Sequence, residues 1–492
     1  MEFVDSYIII GIAAFLIGLI LLSRTSYKRF FNVFFMIETR HGLRFVDNIA
    51  RLSPYFWKFV GDIAIVVSFG GVGGYYVVKY RNTWSVALVL GAAALIFTYL
   101  SFGVVPAVIG VCMLAAGVYV LRRSERKLMH LAAAAVIMGV IAFEIFPMLS
   151  DMGFLKPYVS VLVGVFGIPS LLISLLFSQA LKIILLQSSI PGVSPLLPTV
   201  SSEGPGFFFP GTGIFIPFWQ ALIAMICLLV PHEFAHGVLT RSHKIRLKSA
   251  GILTAGPLPI GGFVEPDEKG MKLYRSRGRM RIYAIGSFTN LIVALIALLL
   301  LVSVMGPALG MMTEPTGMII TNVANGTPAY DVLEKGYVIK EINGMPTLDI
   351  GSFNLAVSQI KPGQQVNFVT SNGTFNLTVT SRTDNASRGY IGIDLQETSK
   401  LKDEFGEKYR LQAEAVFFFA PTLFWIFFLS FNVALVNLLP IVPFDGGKMF
   451  EELVAEFRIR RSTKELLVNA VIILIVGLML VNASPLLLNL LR

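Results

Sequence analysis

Charge is scarce in this chain. Of its 492 residues only 14% are Asp, Glu, Lys or Arg, while 55% are hydrophobic, against roughly 25% charged in soluble domains. That deficit excludes an ordinary soluble protein and points to the bilayer. Cysteine is scarcer still. Both, Cys112 and Cys227, fall in apolar stretches, so no disulfide framework is implied. A basic leader is missing before the first apolar run, 7–22, which instead follows Glu2 and Asp5, so this run is expected to stay as a first span. There are only five histidines, which makes any metal-ligand set short. The net charge of +10 does not signal nucleic acid, because the basic residues cluster beside apolar spans, where they set topology.

Apolar runs of spanning length are what the chain has in plenty. They occur near 7–23, 60–78, 84–101, 103–121, 128–149, 158–184, 214–239, 282–305, 414–437 and 466–484. Together they predict a polytopic α-helical membrane protein with about ten transmembrane helices. The Gly-rich segment 69–74 predicts close helix packing or a re-entrant turn. Pro191, Gly192, Pro195, Pro198 and the segment 204–213 predict a non-helical connection lying against the membrane.

Between Thr313 and Lys408 polar residues rise and apolar positions alternate. Turn signals recur at Asn343-Gly344, Pro362-Gly363 and Asn372-Gly373. This is an inserted α+β domain of about ninety residues, large enough for its own core. Sequons begin at Asn325, Asn372, Asn376 and Asn385, which favours an extracytoplasmic position. Charge agrees: the groups Arg241, Lys244, Arg246, Lys248, then Arg275, Arg277, Arg279, Arg281, then Lys448, Arg458, Arg460, Arg461, Lys464 are expected to be cytoplasmic, leaving the insert outside. Residues 24–58 also read as cytoplasmic. If every run crosses, Arg122, Arg123, Arg126 and Lys127 fall outside, so either the bias fails there or one Gly-rich run re-enters.

The chemistry lies in the apolar stretch 214–239. His232-Glu233-Phe234-Ala235-His236 supplies the stretch's only charged or titratable groups apart from one thiol. Two His four residues apart share one helical face and reach one Zn²⁺, with Glu233 free to act as a base on metal-bound water. Ionisable groups at such depth are costly and mark function. A zinc hydrolase needs a third protein ligand. His41, His130 and His243 read as non-ligands, from their basic or remote settings. Asp445 is the better candidate: it follows a span and is flanked by Pro440, Pro443, Gly446 and Gly447, a pattern that breaks a helix and presents a carboxylate on exposed backbone. Its ordinary alternative is a simple turn.

These residues carry a family resemblance. The His-Glu-Phe-Ala-His motif, the later Asn437…Pro440…Asp445-Gly446-Gly447 motif and the insert between them resemble the site-2 protease family of intramembrane zinc metallopeptidases, over roughly residues 188–484. Pro191-Gly192-Val193 matches too. Leu258-Pro259-Ile260-Gly261-Gly262-Phe263-Val264 resembles the family's membrane-dipping hairpin, and Gly286-Ser287-Phe288-Thr289-Asn290 its Gly-x-x-x-Asn element. The insert is PDZ-like at residues 317–323, Gly326-Thr327-Pro328-Ala329, Ile342-Asn343-Gly344 and 389–393, but Gly336-Tyr337 stands where the family commonly has Gly-Asp.

The resemblance implies one Zn²⁺ per chain on His232, His236 and Asp445, with Glu233 passing a proton to the leaving amine. It implies that Asn290 or Asn437 binds the substrate backbone or oxyanion, or else packs helices. The hairpin residues Gly261, Gly262, Phe263 and Val264 then either offer an edge strand to an unwound substrate helix or form a packed turn. The implied organisation is an N-terminal multi-span region (1–187), a first peptidase half (188–312), the PDZ-like domain (313–408) and a second half (409–492). The implied partners are the lipid bilayer and a transmembrane protein substrate, trimmed first by another protease. The expected setting is a prokaryotic plasma membrane, with eukaryotic Golgi or endoplasmic reticulum as alternatives. Two rivals remain: a proton or metal transporter, which predicts an internal repeat that this chain lacks, and a peptide-binding scaffold without catalysis.

Overall fold

The computed structural model describes residues 17–20, 28–30, 34–38, 40–79, 84–86, 88–89, 156–201, 204–255, 258–381, 389–457 and 459–490. The runs expected at 103–121 and 128–149 lie outside the described residues, as do most of 7–23 and 84–101. The chain forms two compact units: residues Met1–Leu298 with Thr422–Arg492, and Leu299–Pro421.

In chain order the first unit begins with strands β1 (Lys28–Phe30) and β2 (Phe34–Glu38), then helices α1 (Arg40–Leu52) and α2 (Pro54–Lys79). The run 158–184 is not one span but two helices, α3 (Lys156–Phe166) and α4 (Ile168–Ile184), parted by Gly167 at φ 73. The Gly-rich segment kinks α2 in the same way, at Phe69 and Gly70. The two breaks pack backbone to backbone: a Cβ on Gly167 would stand 2.4 Å from the Ser68 carbonyl oxygen, and one on Gly70 2.7 Å from that of Gly164. Only glycine permits that approach.

The proline-rich connection proves to be a sheet, β3 (Leu197–Ser201), β4 (Gly204–Phe209) and β5 (Ile214–Pro217), so the motif helix α5 starts at Phe218 and runs to Ser242. A hairpin follows, β6 (Leu247–Ala255) and β7 (Leu258–Pro266), then a short helix α6 (Glu268–Leu273) and α7 (Ser276–Leu300), whose helical path continues to Met312. Strands β1 and β2 add to this hairpin, giving the antiparallel order β1-β2-β6-β7. Helix α1 covers it, with Val46 and Ala50 packed against Val238 of α5 and Leu247 of β6. Residues within 24–58, expected from charge to be a cytoplasmic segment, thus complete the sheet beside the motif helix.

The second unit holds β8 (Thr313–Val323), β9 (Val338–Ile342), β10 (Met345–Pro346), helix α8 (Ile350–Ser358), β11 (Gln365–Thr370), β12 (Gly373–Thr378), β13 (Thr380–Ser381), β14 (Gly389–Tyr390) and β15 (Ile393–Leu401). Its main sheet runs β12-β11-β9-β8-β15, all antiparallel, with β10 beside β9. The alternation seen in sequence becomes a core of Met318, Ile320, Ile339, Val366 and Phe368. Asn343 (φ 49) and Gly344 (φ 79) make the turn between β9 and β10. Asn325, Asn372 and Asn376 are exposed; Asn385 lies outside the described residues.

The chain returns to the first unit through α9 (Arg410–Asn437), α10 (Asp445–Glu456) and α11 (Arg461–Leu490). Among the described residues five helices are long and apolar enough to cross a membrane: α2, α5, α7 with its continuation, α9 and α11. Their contacts use small residues, as lipid-embedded packing requires. Gly61 on α2 is one of these: a Cβ there would meet Arg281 Cβ at 2.9 Å. Next to it, fully buried Asp62 takes both Arg277 (Nη2 to Oδ2, 2.6 Å) and Arg281 (Nε to Oδ1 and Nη2 to Oδ2, both 2.7 Å) of α7. A charge at that depth persists only when paired, so this clamp fixes the register of α7 against α2.

Candidate metal centre

Three elements from distant parts of the chain meet at the motif. Helix α5 brings His232 and His236 one turn apart on one face. The loop after α9 folds back so that α10 begins at Asp445, in the first turn, where an anion is favoured. The two glycines after Asp445 exist for this approach: a Cβ on Gly446 would stand 2.1 Å from the Leu438 carbonyl oxygen, and one on Gly447 2.3 Å from the Ile441 carbonyl carbon.

The donor atoms form a near-regular triangle. His236 Nε2 lies 3.2 Å from His232 Nε2 and 3.0 Å from Asp445 Oδ2, and His232 Nε2 lies 3.5 Å from that same oxygen. Tetrahedral ligands at about 2.0–2.1 Å from Zn²⁺ are separated by about 3.3 Å, so the chemistry and spacing of the set fit a single such ion. These three residues are a possible metal site. His236 Nδ1–H donates to the Ile282 carbonyl at 2.6 Å, which fixes the tautomer and leaves Nε2 its lone pair. His232 Nδ1 is buried without a partner among the described residues. Burial alone would raise the Asp445 carboxyl, but the His236 and His232 imidazoles hold it well below the usual carboxylate range.

Asn437 ties the ligand carboxylate to the first histidine. Its Nδ2 donates to Asp445 Oδ2 at 3.0 Å and lies 3.3 Å from His232 Nε2, while its Oδ1 accepts the Asp445 N–H at 3.4 Å. Glu233 stands beside the triangle. Its Oε2 accepts the Val264 N–H of β7 at 3.2 Å, and Gly262 brings the strand close, with a Cβ position 3.6 Å from Glu233 Cβ. A cavity of about 280 Å³ is bounded by His232, Glu233, His236, Val264, Asn437 and Asp445, among others.

Of the remaining expected residues, Phe263 borders a neighbouring chamber, and Gly261 pairs with Leu253 in the sheet. Asn290 is fully buried, with neither amide atom hydrogen-bonded among the described residues. It sits on the same α7 face as Ile282 and Gly286, one turn beyond Gly286. His243, read from sequence as no ligand, is buried and its Nδ1 is hydrogen-bonded with the Tyr274 hydroxyl at 3.0 Å. His130 lies outside the described residues. Sequence reasoning gave Gly286 no role of its own. A Cβ there would stand 2.3 Å from His236 Nε2 and 2.6 Å from His232 Nε2, so α7 presses bare backbone onto the histidine pair. Its signal was the Gly at a four-residue step before Asn290.

Residues 220–481 match the model of peptidase family M50. An uncharacterized protein of Methanocaldococcus jannaschii is 30% identical over 306 residues, covering 61% of this chain and 74% of that protein. The matched span contains the His-Glu-Phe-Ala-His helix, the insert and the Asp-Gly-Gly turn, and the chain belongs to peptidase family M50, the site-2 protease family.

Proposed function

We propose that this protein is an intramembrane zinc metalloendopeptidase that hydrolyses a peptide bond in or near a transmembrane segment of a membrane-bound substrate. The observation that carries this reading is the donor triangle of His232, His236 and Asp445 with Glu233 beside it. His232 Nε2, His236 Nε2 and Asp445 Oδ2 would hold one Zn²⁺ per chain. When bound, the ion supplies Lewis acidity and brings the pKa of water at its open position toward neutrality.

The chain's own residues do the rest. Val264 holds Glu233 Oε2, so Oε1 takes the proton of the attacking water and delivers it to the leaving amine. Asn437 keeps Asp445 Oδ2 turned to the histidines. Strand β7 is an edge of its sheet, and its Val264 N–H points toward Glu233 rather than into the sheet. A substrate helix unwound at this edge recovers backbone hydrogen bonds by strand addition along residues 261–264. Asn290 is a buried amide with hydrogen-bonding capacity to spare, suited to the substrate backbone or developing oxyanion.

In this reading residues 188–312 and 409–492 are the two peptidase halves, 313–408 an extracytoplasmic PDZ-like domain that senses a substrate already trimmed by another protease, and 1–187 a multi-span region. Strands β1 and β2 and helices α1 and α2 of that region support the catalytic sheet. The setting is a prokaryotic plasma membrane. Replacement of Glu233 by Gln tests the reading: cleavage of a model transmembrane substrate should vanish while zinc binding persists. A scaffold would be indifferent to the change, and retained cleavage would refute the proposal.

A further inference from the structure

A second chamber of about 660 Å³ adjoins the catalytic cavity, and nothing above uses it. Val264, Pro266, Met271, Tyr283 and Lys448 border both spaces. A chain extended along β7 and leaving Glu233 past Pro266 therefore enters this chamber. At about 3.3 Å per residue, side chains two to four positions from the cut fall within it.

Charge pairing decides what the chamber prefers. Its walls carry Glu265, Lys272, Arg279, Lys448 and Glu452. Arg279 is committed to Glu452 through two parallel hydrogen bonds, Nε to Oε1 at 2.6 Å and Nη2 to Oε2 at 2.8 Å. Glu265 is met by the Ser249 hydroxyl at 3.0 Å and by Lys248 Nζ at 3.4 Å. Two cations are held less firmly. Lys448 Nζ makes a long ion pair with Asp445 Oδ1 at 3.6 Å and lies 5.5 Å from the Tyr283 ring centroid. Lys272 is exposed and forms no ion pair among the described residues.

We propose that this chamber is a substrate subsite selecting an acidic side chain two to four residues from the cleaved bond, with Lys272 and Lys448 as specificity-determining residues. The inference rests on the peptidase reading above. The occupant is the substrate chain because the chamber opens onto the β7 edge and shares its wall with the catalytic cavity.

The test uses the full-length protein in detergent and a model transmembrane substrate carrying Glu, Ala or Lys at each position two to four residues to either side of the cut. kcat/KM is measured for wild type, Lys272→Glu, Lys272→Gln and Lys448→Met. Binding of the same substrates to Glu233→Gln protein provides a readout free of turnover, and zinc content checks that Asp445 is undisturbed. Partly exposed charge pairs are worth about two- to five-fold each. At one position wild type should favour Glu over Lys about five-fold or more, Lys272→Gln should reduce that ratio, and Lys272→Glu should invert it, in cleavage and in binding alike. Cleavage with no charge preference at any position, or a preference unchanged in Lys272→Glu, overturns the subsite. Cleavage that persists in Glu233→Gln overturns the peptidase reading instead.

Discussion

Replacing Gly286 with Ala adds one methyl group at the back of the metal centre. The new Cβ would stand 2.3 Å from His236 Nε2 and 2.6 Å from His232 Nε2 and Cε1, where ordinary contact begins near 3.4 Å. Helix α7 cannot retreat freely, because Asp62 clamps Arg281 and the Ile282 carbonyl holds His236. The imidazoles must therefore yield by about 1 Å, and misplacement on that scale costs about 100-fold in rate, or about 2.7 kcal/mol. Zinc affinity should fall with it. Gly477→Ala in α11 is the control, since a Cβ there meets nothing within 4 Å. Titration with a zinc chelator and cleavage of a model transmembrane substrate read both effects. Wild-type zinc retention and rate in Gly286→Ala would refute the idea that α7 backs directly onto the ligand pair.

Three further outcomes follow from the same geometry. Asn437→Ala removes the side-chain amide that donates to Asp445 Oδ2 and should weaken zinc binding about 10- to 100-fold, measured by competition with a chelator. Asp62→Ala removes the buried carboxylate that Arg277 and Arg281 share and should destabilise the fold by about 3–5 kcal/mol, seen as a lower midpoint of unfolding in detergent. Burial, then the charges of Arg281 and Lys58, lower the His243 pKa from 6.5 to about 3. Because the folded-state value is depressed for a cationic acid, His243 contributes stability above pH 6.5 that is lost progressively as pH falls toward 3. Thermal unfolding across that window should show the decline in wild type and less of it in His243→Gln.

The parts of the molecule that sequence made legible are those whose signal is local. The i, i+4 histidines, the Asp-Gly-Gly turn and the hairpin turns at Asn343-Gly344 and Asn372-Gly373 each carry their geometry in adjacent residues. Five of the apolar runs correspond to five long apolar helices. What escaped is what depends on distant pairing. Strands β1 and β2 are too short to be read as strands, yet they complete the sheet that holds Glu233. Arg277, Arg279 and Arg281 read as topology markers, but Asp62 and Glu452 make them structural. Gly167 looked like one more apolar position in a single span, although its left-handed backbone splits the helix. Gly286 stood only as the first residue of the Gly-x-x-x-Asn element; only the fold brings it to within a methyl group of both ligand nitrogens.

The most direct test of the account is the zinc content of the purified protein for wild type, His236→Ala, Asp445→Ala and Glu233→Gln, measured on the same samples used for cleavage. The account predicts about one zinc per chain in wild type and Glu233→Gln, and weakened or lost zinc in the two ligand variants. It predicts cleavage in wild type alone. Zinc that is absent from wild type, or that survives the loss of both His236 and Asp445, would contradict it.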